Sequence, residues 1–211
     1  MVISLKEYAM ARSQIVNWEE FIARHTWASS YQKPTHNRVP SHCVAIYHQV
    51  DLDKKTVKDT LYVTTWDDQF KSEFKDLSLA WVKEHFVVEE EDIRQLETPE
   101  EAIIKPGGEI FFLLESTGRV AGVVAIVLHE EICELAKMTV RKEYTGKGYA
   151  HILMRESIEW ARSKKYPFVE LMSNTVLENA IVLYKKYGFE TTHLGPHSAY
   201  ARANIIMRLT F

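Results

Sequence analysis

The pattern of apolar and polar positions divides the chain near Thr60. Residues 1 to about 28 carry apolar side chains at helical spacing. The positions on that stripe are Leu5, Ala9, Ile15, Trp18 and Ile22. Residues 29–59 are mainly polar and hold one short apolar run, Cys43–Tyr47. We therefore predict a helical extension and a connection, with room for one added strand, over residues 1–59, and a regular domain over residues 60–211.

The regular domain begins with a strand and two helices. Leu61–Trp66 is rich in β-branched and aromatic residues, which predicts a strand. Apolar residues at helical spacing between Phe70 and Phe86 predict a long amphipathic helix. The acidic run Glu89–Asp92 begins a short helix, where negative charge is favourable. We interpret this run as a solvated helix start, and attraction of a cationic substrate stays open as a second interpretation.

The remainder of the domain alternates between strand and helix patterns. Three antiparallel strands are predicted at Glu109–Glu115, Arg119–His129 and Ile132–Val140. The later elements are a helix after Gly148, a strand at Phe168–Met172, a helix that Gly188 ends, and strands at Phe189–His193 and Arg202–Leu209. This order predicts an α/β (α+β) fold, in which helices flank a mixed, mostly antiparallel sheet.

Composition narrows the function classes. The 211 residues are 46% hydrophobic and 26% charged, as in a globular protein. A net charge of -3 offers no electrostatic basis for binding nucleic acid or an anionic membrane. Two cysteines cannot form a disulfide framework, and the nine histidines show no metal-ligand spacing. Because no membrane span or secretory signal is evident either, we expect a cytoplasmic protein with no metal, nucleic-acid or membrane partner.

A glycine loop stands out between a predicted strand and a predicted helix. The loop reads Thr145-Gly146-Lys147-Gly148-Tyr149-Ala150. Unpaired backbone N–H groups and the dipole at a helix N-terminus favour a phosphate, and Lys147 adds a positive charge. A tight turn with glycines for steric reasons explains the same residues, so both interpretations stay open at this point.

Three segments in this order resemble the GNAT superfamily of acyl-CoA-dependent N-acetyltransferases. They are Glu134–Val140, Gly146–Ala150 and Leu183–Phe189. The resemblance covers about residues 60–211 and implies acetyl-CoA as co-substrate. One residue departs from the family's pattern, because Thr145 stands where the phosphate loop usually has Arg or Gln. We expect the backbone N–H groups to bind the pyrophosphate nonetheless, with Lys147 or Lys142 in compensation.

The resemblance also implies where the rest of the cofactor binds. Met138, Thr139 and Val140 would offer backbone groups to the pantetheine arm, in a gap between two strands that splay apart. A backbone N–H near Met138 would stabilise the tetrahedral oxyanion. Asn174 and Asn179 would bind the pantetheine amides, although a cap at the chain end explains Asn174 equally well.

Two side chains are candidates for the proton transfers. Glu134 would be the general base, since desolvation suits a buried carboxylate to proton transfer near neutral pH. Strand periodicity puts Glu134 and Met138 on one side of the sheet unless a bulge intervenes. The alternative is a structural ion pair of Glu134 with Lys137 or an arginine. The resemblance implies that Tyr184 protonates the departing thiolate, whereas the alternative is a core tyrosine.

The sequence therefore predicts an N-acetyltransferase that moves an acetyl group to a primary amine, by direct attack in a ternary complex. A small-molecule acceptor is our leading interpretation. A protein N-terminus or lysine as acceptor is one alternative, and a non-catalytic acyl-CoA-binding module is another, with a homodimer formed through the N-terminal helix. Trp81, Tyr200 and the acidic run Glu89–Asp92 are candidate contributors to the acceptor pocket, beside loops near Gly107 and His197.

Overall fold

The computed structural model describes residues 13–24, 39–130, 132–196 and 200–211. These residues form one nine-stranded sheet with helices on both faces. The strands are β1 Ser13–Asn17, β2 Cys43–Asp51, β3 Thr56–Thr64, β4 Glu109–Glu115, β5 Val120–His129, β6 Ile132–Val140, β7 Phe168–Ser173, β8 Glu190–Leu194 and β9 Ile205–Thr210. The helices are α1 Trp18–Ile22, α2 Lys71–His85, α3 Glu90–Glu97, α4 Tyr149–Ser163 and α5 Glu178–Lys186.

The sheet has the order β1-β2-β3-β4-β5-β6-β7-β9-β8. All neighbouring strands in this part of the chain run antiparallel except β6 and β7, which are parallel. β7 pairs with β9 from Phe168 to Ser173, but its register with β6 is confined to Glu134 and Glu170. The sheet therefore parts between β6 and β7 beyond Glu134. The predicted mixed, mostly antiparallel sheet is confirmed.

The two faces of the sheet carry separate apolar clusters. On one face, α4 buries Leu153 and Ile158 against residues of β5 and β6. On the other, α2 and α3 pack Phe74 and Leu96 against β4 and β5. Gly122 of β5 allows close packing, because a Cβ atom there would lie 2.8 Å from the carbonyl oxygen of Thr139. No helix in the described ranges is long and apolar enough to cross a membrane.

The predicted helix over residues 1–28 is wrong where the structure describes it. Ser13–Asn17 forms β1, which pairs with β2 from Asp51 to Tyr47, and only the short α1 follows. Asn17 ends the strand and caps α1 by accepting a hydrogen bond from the N–H of Glu20 at 3.3 Å. Val16 is buried against Val50, so tertiary packing decides the conformation of this segment. Residues 1–12 and 25–28 lie outside the described residues.

The predicted connection before Thr60 forms a β-hairpin. β2 continues past Tyr47 to Asp51, and β3 begins at Thr56 rather than at Leu61. One pair of buried polar residues joins the two strands, through the 2.9 Å hydrogen bond between Thr60 Oγ1 and His48 Nδ1. Because the stretch before Thr60 is mainly polar, its sequence did not predict the full extent of β2 and β3. Elements from Glu109 onward agree with the sequence prediction to within about three residues at each end. The domain boundary at residue 60 stays a prediction.

Candidate active site

A cleft with about 810 Å³ of empty space, part of it open to solvent, lies where β6 and β7 part. β6 contributes one wall and α2 another, while the chain after β7 and the segment before β9 complete it. The lining residues are Ser78, Trp81, Val82, Phe86, Glu134, Leu135, Ala136, Lys137, Met138, Thr139, Met172, Ser173, Asn174, Leu177, Tyr184, Tyr200, Arg202 and Ala203. The structure thus brings together Glu134, Met138, Thr139, Asn174 and Tyr184 of the predicted site.

A β-bulge interrupts β6 inside this cleft. Val123 of β5 pairs with Thr139, but Ala125 pairs with Ala136, so the stretch between them holds an extra residue on β6. Lys137 has a positive φ of 52° at this point. A bulge leaves backbone groups unpaired in the strand ladder. Such groups in the wall of a cleft are available to hydrogen-bond a ligand.

The bulge reverses the direction of the side chains along β6. Ala136 packs with the cluster on the α2 face, whereas Met138 packs with the cluster on the α4 face. Strand alternation places Glu134 with Ala136 on the α2 face. The exception made for a bulge therefore applies, and Glu134 and Met138 lie on opposite sides of the sheet, although both residues line the cleft.

The carboxylate of Glu134 forms a hydrogen bond with the imidazole of His129. The Glu134 side chain is only 6% exposed, and its Oε2 lies 2.7 Å from Nε2 of His129. Its partner is thus neither Lys137 nor an arginine, the ion-pair partners considered from the sequence. The hydrogen bond to Glu134 raises the pKa of His129 above the usual 6.5, against the opposing effect of partial burial.

Sequence reasoning missed His129, although a usable signal was present. In the hairpin of β5 and β6, Val127 stands opposite Glu134 and His129 opposite Ile132. His129 and Glu134 are therefore diagonal neighbours on one face, at a separation that long side chains span. The two predicted strands and their turn were sufficient to place this pair.

A buried ionic network forms another wall of the cleft. Asp92, with no exposed side-chain surface, accepts hydrogen bonds from Lys137 at 2.8 Å and from both terminal nitrogens of Arg202 at 2.6 and 2.8 Å. Burial alone would raise the pKa of Asp92, but the bonds from Arg202 and the charge of Lys137 lower it to about 2. Lys137 Nζ also lies 3.4 Å from the hydroxyl of Tyr200. Asp92 therefore fixes two cations at the edge of the cleft, and the interpretation of Asp92 as part of a solvated helix start is wrong.

Tyr184 and Asn174 lie at the β7 side of the cleft. Burial raises the pKa of Tyr184 to about 12, partly opposed by a hydrogen bond with Ser173, so the phenol keeps its proton at neutral pH. Asn174 donates to the carbonyl of Arg202 at 2.6 Å and accepts from the N–H of Val176 at 2.9 Å. These bonds hold the turn after β7, whereas the N-cap of α5 is Leu177. Asn179 is exposed on α5 and does not line the cleft.

The glycine loop runs from the end of β6 into α4. Gly146 and Gly148 have positive φ angles of 78° and 84°, which disfavour any side chain with a Cβ. A Cβ at Gly146 would meet nothing within 4 Å, so conformation and not space requires the glycine there. Gly148 is the N-cap of α4 and makes no side-chain cap bond. The first N–H groups of α4, at Tyr149 and Ala150, are thus left for another acceptor.

The charges around the loop distinguish the two candidate lysines. Lys142 forms an ion pair with Glu84 at 2.6 Å. The Nζ of Lys147 lies 4.8 Å from the centre of the Tyr144 ring, in a cation–π contact. Lys147 has no carboxylate partner among the described residues. The first turn of α4 contains no acidic residue. Lys147 is accordingly the cation that remains available to an anion at this helix N-terminus. Thr145 lies exposed at the start of the loop.

Comparisons with known proteins identify relatives of this chain by sequence. N-acetylaspartate synthetase of Rattus norvegicus is 34% identical over 112 residues, which are 52% of this chain and 37% of that protein. N-acetyltransferase 8B of Mus musculus is 32% identical over 91 residues, which are 40% of this chain and 39% of that protein. The matched region thus spans less than half the length of either relative.

Solved structures show the same fold at low sequence identity. An acetyltransferase of the GNAT family from Staphylococcus aureus Mu50 matches 71% of this chain and 98% of its own, at 17% identity and a TM-score of 0.64. Spermidine N-acetyltransferase from Vibrio cholerae, solved with CoA and spermine, matches 71% of this chain and 95% of its own, at 15% identity and a TM-score of 0.56. The model of the acetyltransferase (GNAT) family matches residues 62–189, more than half of the chain. The chain belongs to the GNAT acetyltransferase family.

Proposed function

We propose that this chain is an acetyl-CoA-dependent N-acetyltransferase that acetylates the primary amine of a small molecule, by direct attack in a ternary complex. The observation that carries the proposal is the cleft between β6 and β7. Three groups line this cleft: the buried carboxylate of Glu134, the backbone of the bulge at Lys137 and the protonated phenol of Tyr184. These are the parts that acyl transfer to an amine requires.

The glycine loop and the bulge are assigned to the cofactor. The N–H groups at the start of α4 would bind the pyrophosphate, with Lys147 as the nearby cation. The pantetheine arm would pass along Met138 and Thr139 into the cleft, and Val140 would contribute from the end of β6. Asn174, with part of its hydrogen-bonding capacity already used, and the exposed Asn179 remain weaker candidates for the pantetheine amides.

Each proton transfer has a residue in reach of the cleft. Glu134 accepts a proton from the substrate ammonium, and the free amine attacks the thioester carbonyl. A backbone N–H near Met138 stabilises the oxyanion, an interaction whose loss typically costs about 2.7–4 kcal/mol of activation free energy. Tyr184 then protonates the departing thiolate. A thiol with a pKa near 8.5 is a moderate leaving group, so the help from Tyr184 is moderate too.

The acceptor side of the cleft favours a small molecule. Trp81 of α2, Phe86 just after it and the ring of Tyr200 supply apolar surface, and Lys137 and Arg202 line the same space. N-acetylaspartate synthetase, whose name describes acetylation of a single amino acid, is among the relatives. We therefore place amino acids and other small primary amines first. The cytoplasmic location and the absence of metal, nucleic-acid and membrane partners remain predictions from composition.

The experiment is a thiol-release assay with acetyl-CoA over a panel of amino acids, polyamines and peptides. We expect turnover with at least one small amine, and a loss of at least a hundredfold in Glu134→Gln, which is the lower end for general base catalysis. Turnover confined to peptides would move the acceptor to a protein N-terminus or lysine and contradict the small-molecule assignment. Tight binding of acetyl-CoA with no turnover on the whole panel would replace the enzyme by an acyl-CoA-binding module.

A further inference from the structure

The proposed reaction releases one proton in each turnover. An ammonium and a thioester become an amide, a thiol and a proton. Glu134 takes the first proton from the ammonium, and the second nitrogen proton restores the phenol of Tyr184 after it has protonated the thiolate. The net proton therefore remains on Glu134 when the products form. It must reach solvent before Glu134 can act again.

Glu134 has little direct access to water. Its side chain is 6% exposed, and the surface it shows lines the cleft that the substrates occupy. Its hydrogen-bond partner, His129, is in contact with solvent. The side chain of His129 is 44% exposed at the end of β5, and its Nε2 lies 2.7 Å from Oε2 of Glu134. The pair thus joins a buried carboxylate to solvent through one imidazole.

We propose that His129 carries the proton from Glu134 to solvent in each turnover, an inference that rests on the proposed function. Neutral His129 accepts the proton at Nε2 and releases one from Nδ1 to water, and a tautomer exchange through solvent restores the ring. His129 touches neither the amine nor the thioester. It is a positioning residue that acts through Glu134.

The charges around the pair are compatible with this exchange. On α3, Glu91 favours the imidazolium form of His129 and Arg94 opposes it.

The charged and titratable groups around Glu134 come from several parts of the fold. Tyr200, Lys137 and Asp92 lie on the cleft side of Glu134, and Lys137 binds the carboxylate of Asp92. On the strand beside β6, Glu170 stands in register with Glu134, and Arg208 of β9 binds it at 2.7 Å. Asp92 and Glu170 are therefore each paired with a cation, and His129 is the hydrogen-bond partner of Glu134.

The pair has a distinct signature in the pH profile. Since Glu134 raises the pKa of His129 above 6.5, the imidazole is protonated in weak acid and cannot accept another proton. The acidic limb of kcat therefore reflects the imidazole of His129 and lies at higher pH than it would for an unperturbed histidine. In His129→Gln, which retains a hydrogen-bond donor, the acidic limb that the imidazole causes is lost.

The test compares His129→Gln and His129→Ala with His193→Gln, a substitution of an exposed histidine on β8. We expect kcat to fall about tenfold in both His129 variants, with an unchanged KM for acetyl-CoA, and added imidazole to restore turnover in His129→Ala. His193→Gln should match the wild type. Full turnover in His129→Gln, or a loss that imidazole does not restore, overturns the relay.

The relay and the proposed function fail in different ways. If the wild type turns over and Glu134→Gln is impaired, while His129→Gln keeps both its rate and its pH profile, only the relay is rejected. If the wild type releases no thiol with any amine of the panel, the proposed function itself fails. Should His129→Ala unfold, as thermal melting would reveal, His129→Asn with imidazole titration supplies the same comparison and the same rejecting result.

Discussion

Ala136 and Met138 lie two residues apart on β6, yet they pack against opposite faces of the sheet. A regular strand would place them on the same face. The bulge at Lys137 causes the reversal, and it lies where the ladder between β6 and β7 ends. Before the bulge, the side chain of Glu134 lies on the α2 side of the sheet. At the bulge, backbone groups of β6 are left for a ligand in the gap. The proposed chemistry depends on both features.

Glu134→Gln should remove the general base with little change in structure. We expect kcat to fall about 10²–10⁴-fold, because the amide cannot accept the ammonium proton. The dissociation constant of acetyl-CoA should stay within about twofold of the wild type, since Glu134 contacts the acceptor and not the cofactor in this account. Steady-state kinetics and calorimetry measure the two quantities. Glu190→Gln, an exposed change on β8, is the control, and an unimpaired kcat in Glu134→Gln would remove Glu134 from its role.

Tyr184→Phe should lower turnover by about tenfold, a smaller loss than that of Glu134→Gln, because a thiolate needs limited help to depart. The pKa of Tyr184, raised to about 12, keeps the phenol protonated through the usual assay range, so Tyr184 should create no alkaline limb below that value. Tyr166→Phe, which removes a hydroxyl at the far end of α4, serves as the control. If kcat of Tyr184→Phe equals that of the wild type at every pH, Tyr184 is not the acid that protonates the thiolate.

Asp92→Asn should destabilise the fold, because Lys137 and Arg202 would be left as buried cations without their shared carboxylate. Removing one partner of a buried ion pair typically costs about 3–5 kcal/mol, which urea unfolding monitored by tryptophan fluorescence would measure. Asp76→Asn, on the exposed side of α2, should change the free energy of unfolding by less than about 0.5 kcal/mol. Equal stability of the Asp92 and Asp76 variants would show that the network does not hold the cleft together.

The same network predicts a pH dependence. The pKa of Asp92 is lowered from 3.8 to about 2 in the folded chain, so its carboxylate favours folding at any pH above 3.8. That contribution is lost as the pH falls through about 2. Between these values the wild type should lose stability more steeply than Asp92→Asn, and parallel curves would contradict the assignment.

Lys147→Gln should weaken CoA binding by roughly tenfold, equivalent to about 1.4 kcal/mol, since it removes a cation beside the start of α4 that has no carboxylate partner within the described part of the chain. Lys142→Gln should have a smaller effect, because Glu84 already binds that lysine. Thr145→Arg should strengthen binding, because it adds a cation at a position where the family's phosphate loop usually has Arg or Gln. Calorimetric titrations with CoA rank the variants, and a greater loss in Lys142→Gln than in Lys147→Gln would reverse our assignment.

Local patterns were sufficient for the later elements of the fold. β4 and β6 match their predicted bounds, because β-branched residues and turn glycines encode them within a few positions. β1 was mistaken for helix, since its strand conformation depends on pairing Ser13 with Asp51, far along the chain. The pattern of a short segment cannot report such a partner.

The site was predictable to the same extent. Glu134, Met138, Thr139, Asn174 and Tyr184 meet in one cleft, as the family resemblance implied. The bulge was not predictable, because alternation carries no sign of an extra residue. The bonds between Asp92 and Arg202 join residues 110 positions apart, and only the tertiary fold brings them together. His129, by contrast, could have been placed from the hairpin register.

Calorimetric titration of the folded chain with acetyl-CoA tests the central claim most directly, namely that the loop at Gly146–Gly148 and the parted strands β6 and β7 form one cofactor site. We predict one molecule bound per chain, with an affinity that Lys147→Gln reduces and Glu190→Gln leaves nearly unchanged. Absence of any binding heat for acetyl-CoA and for CoA, at temperatures where the wild type is folded, would contradict it.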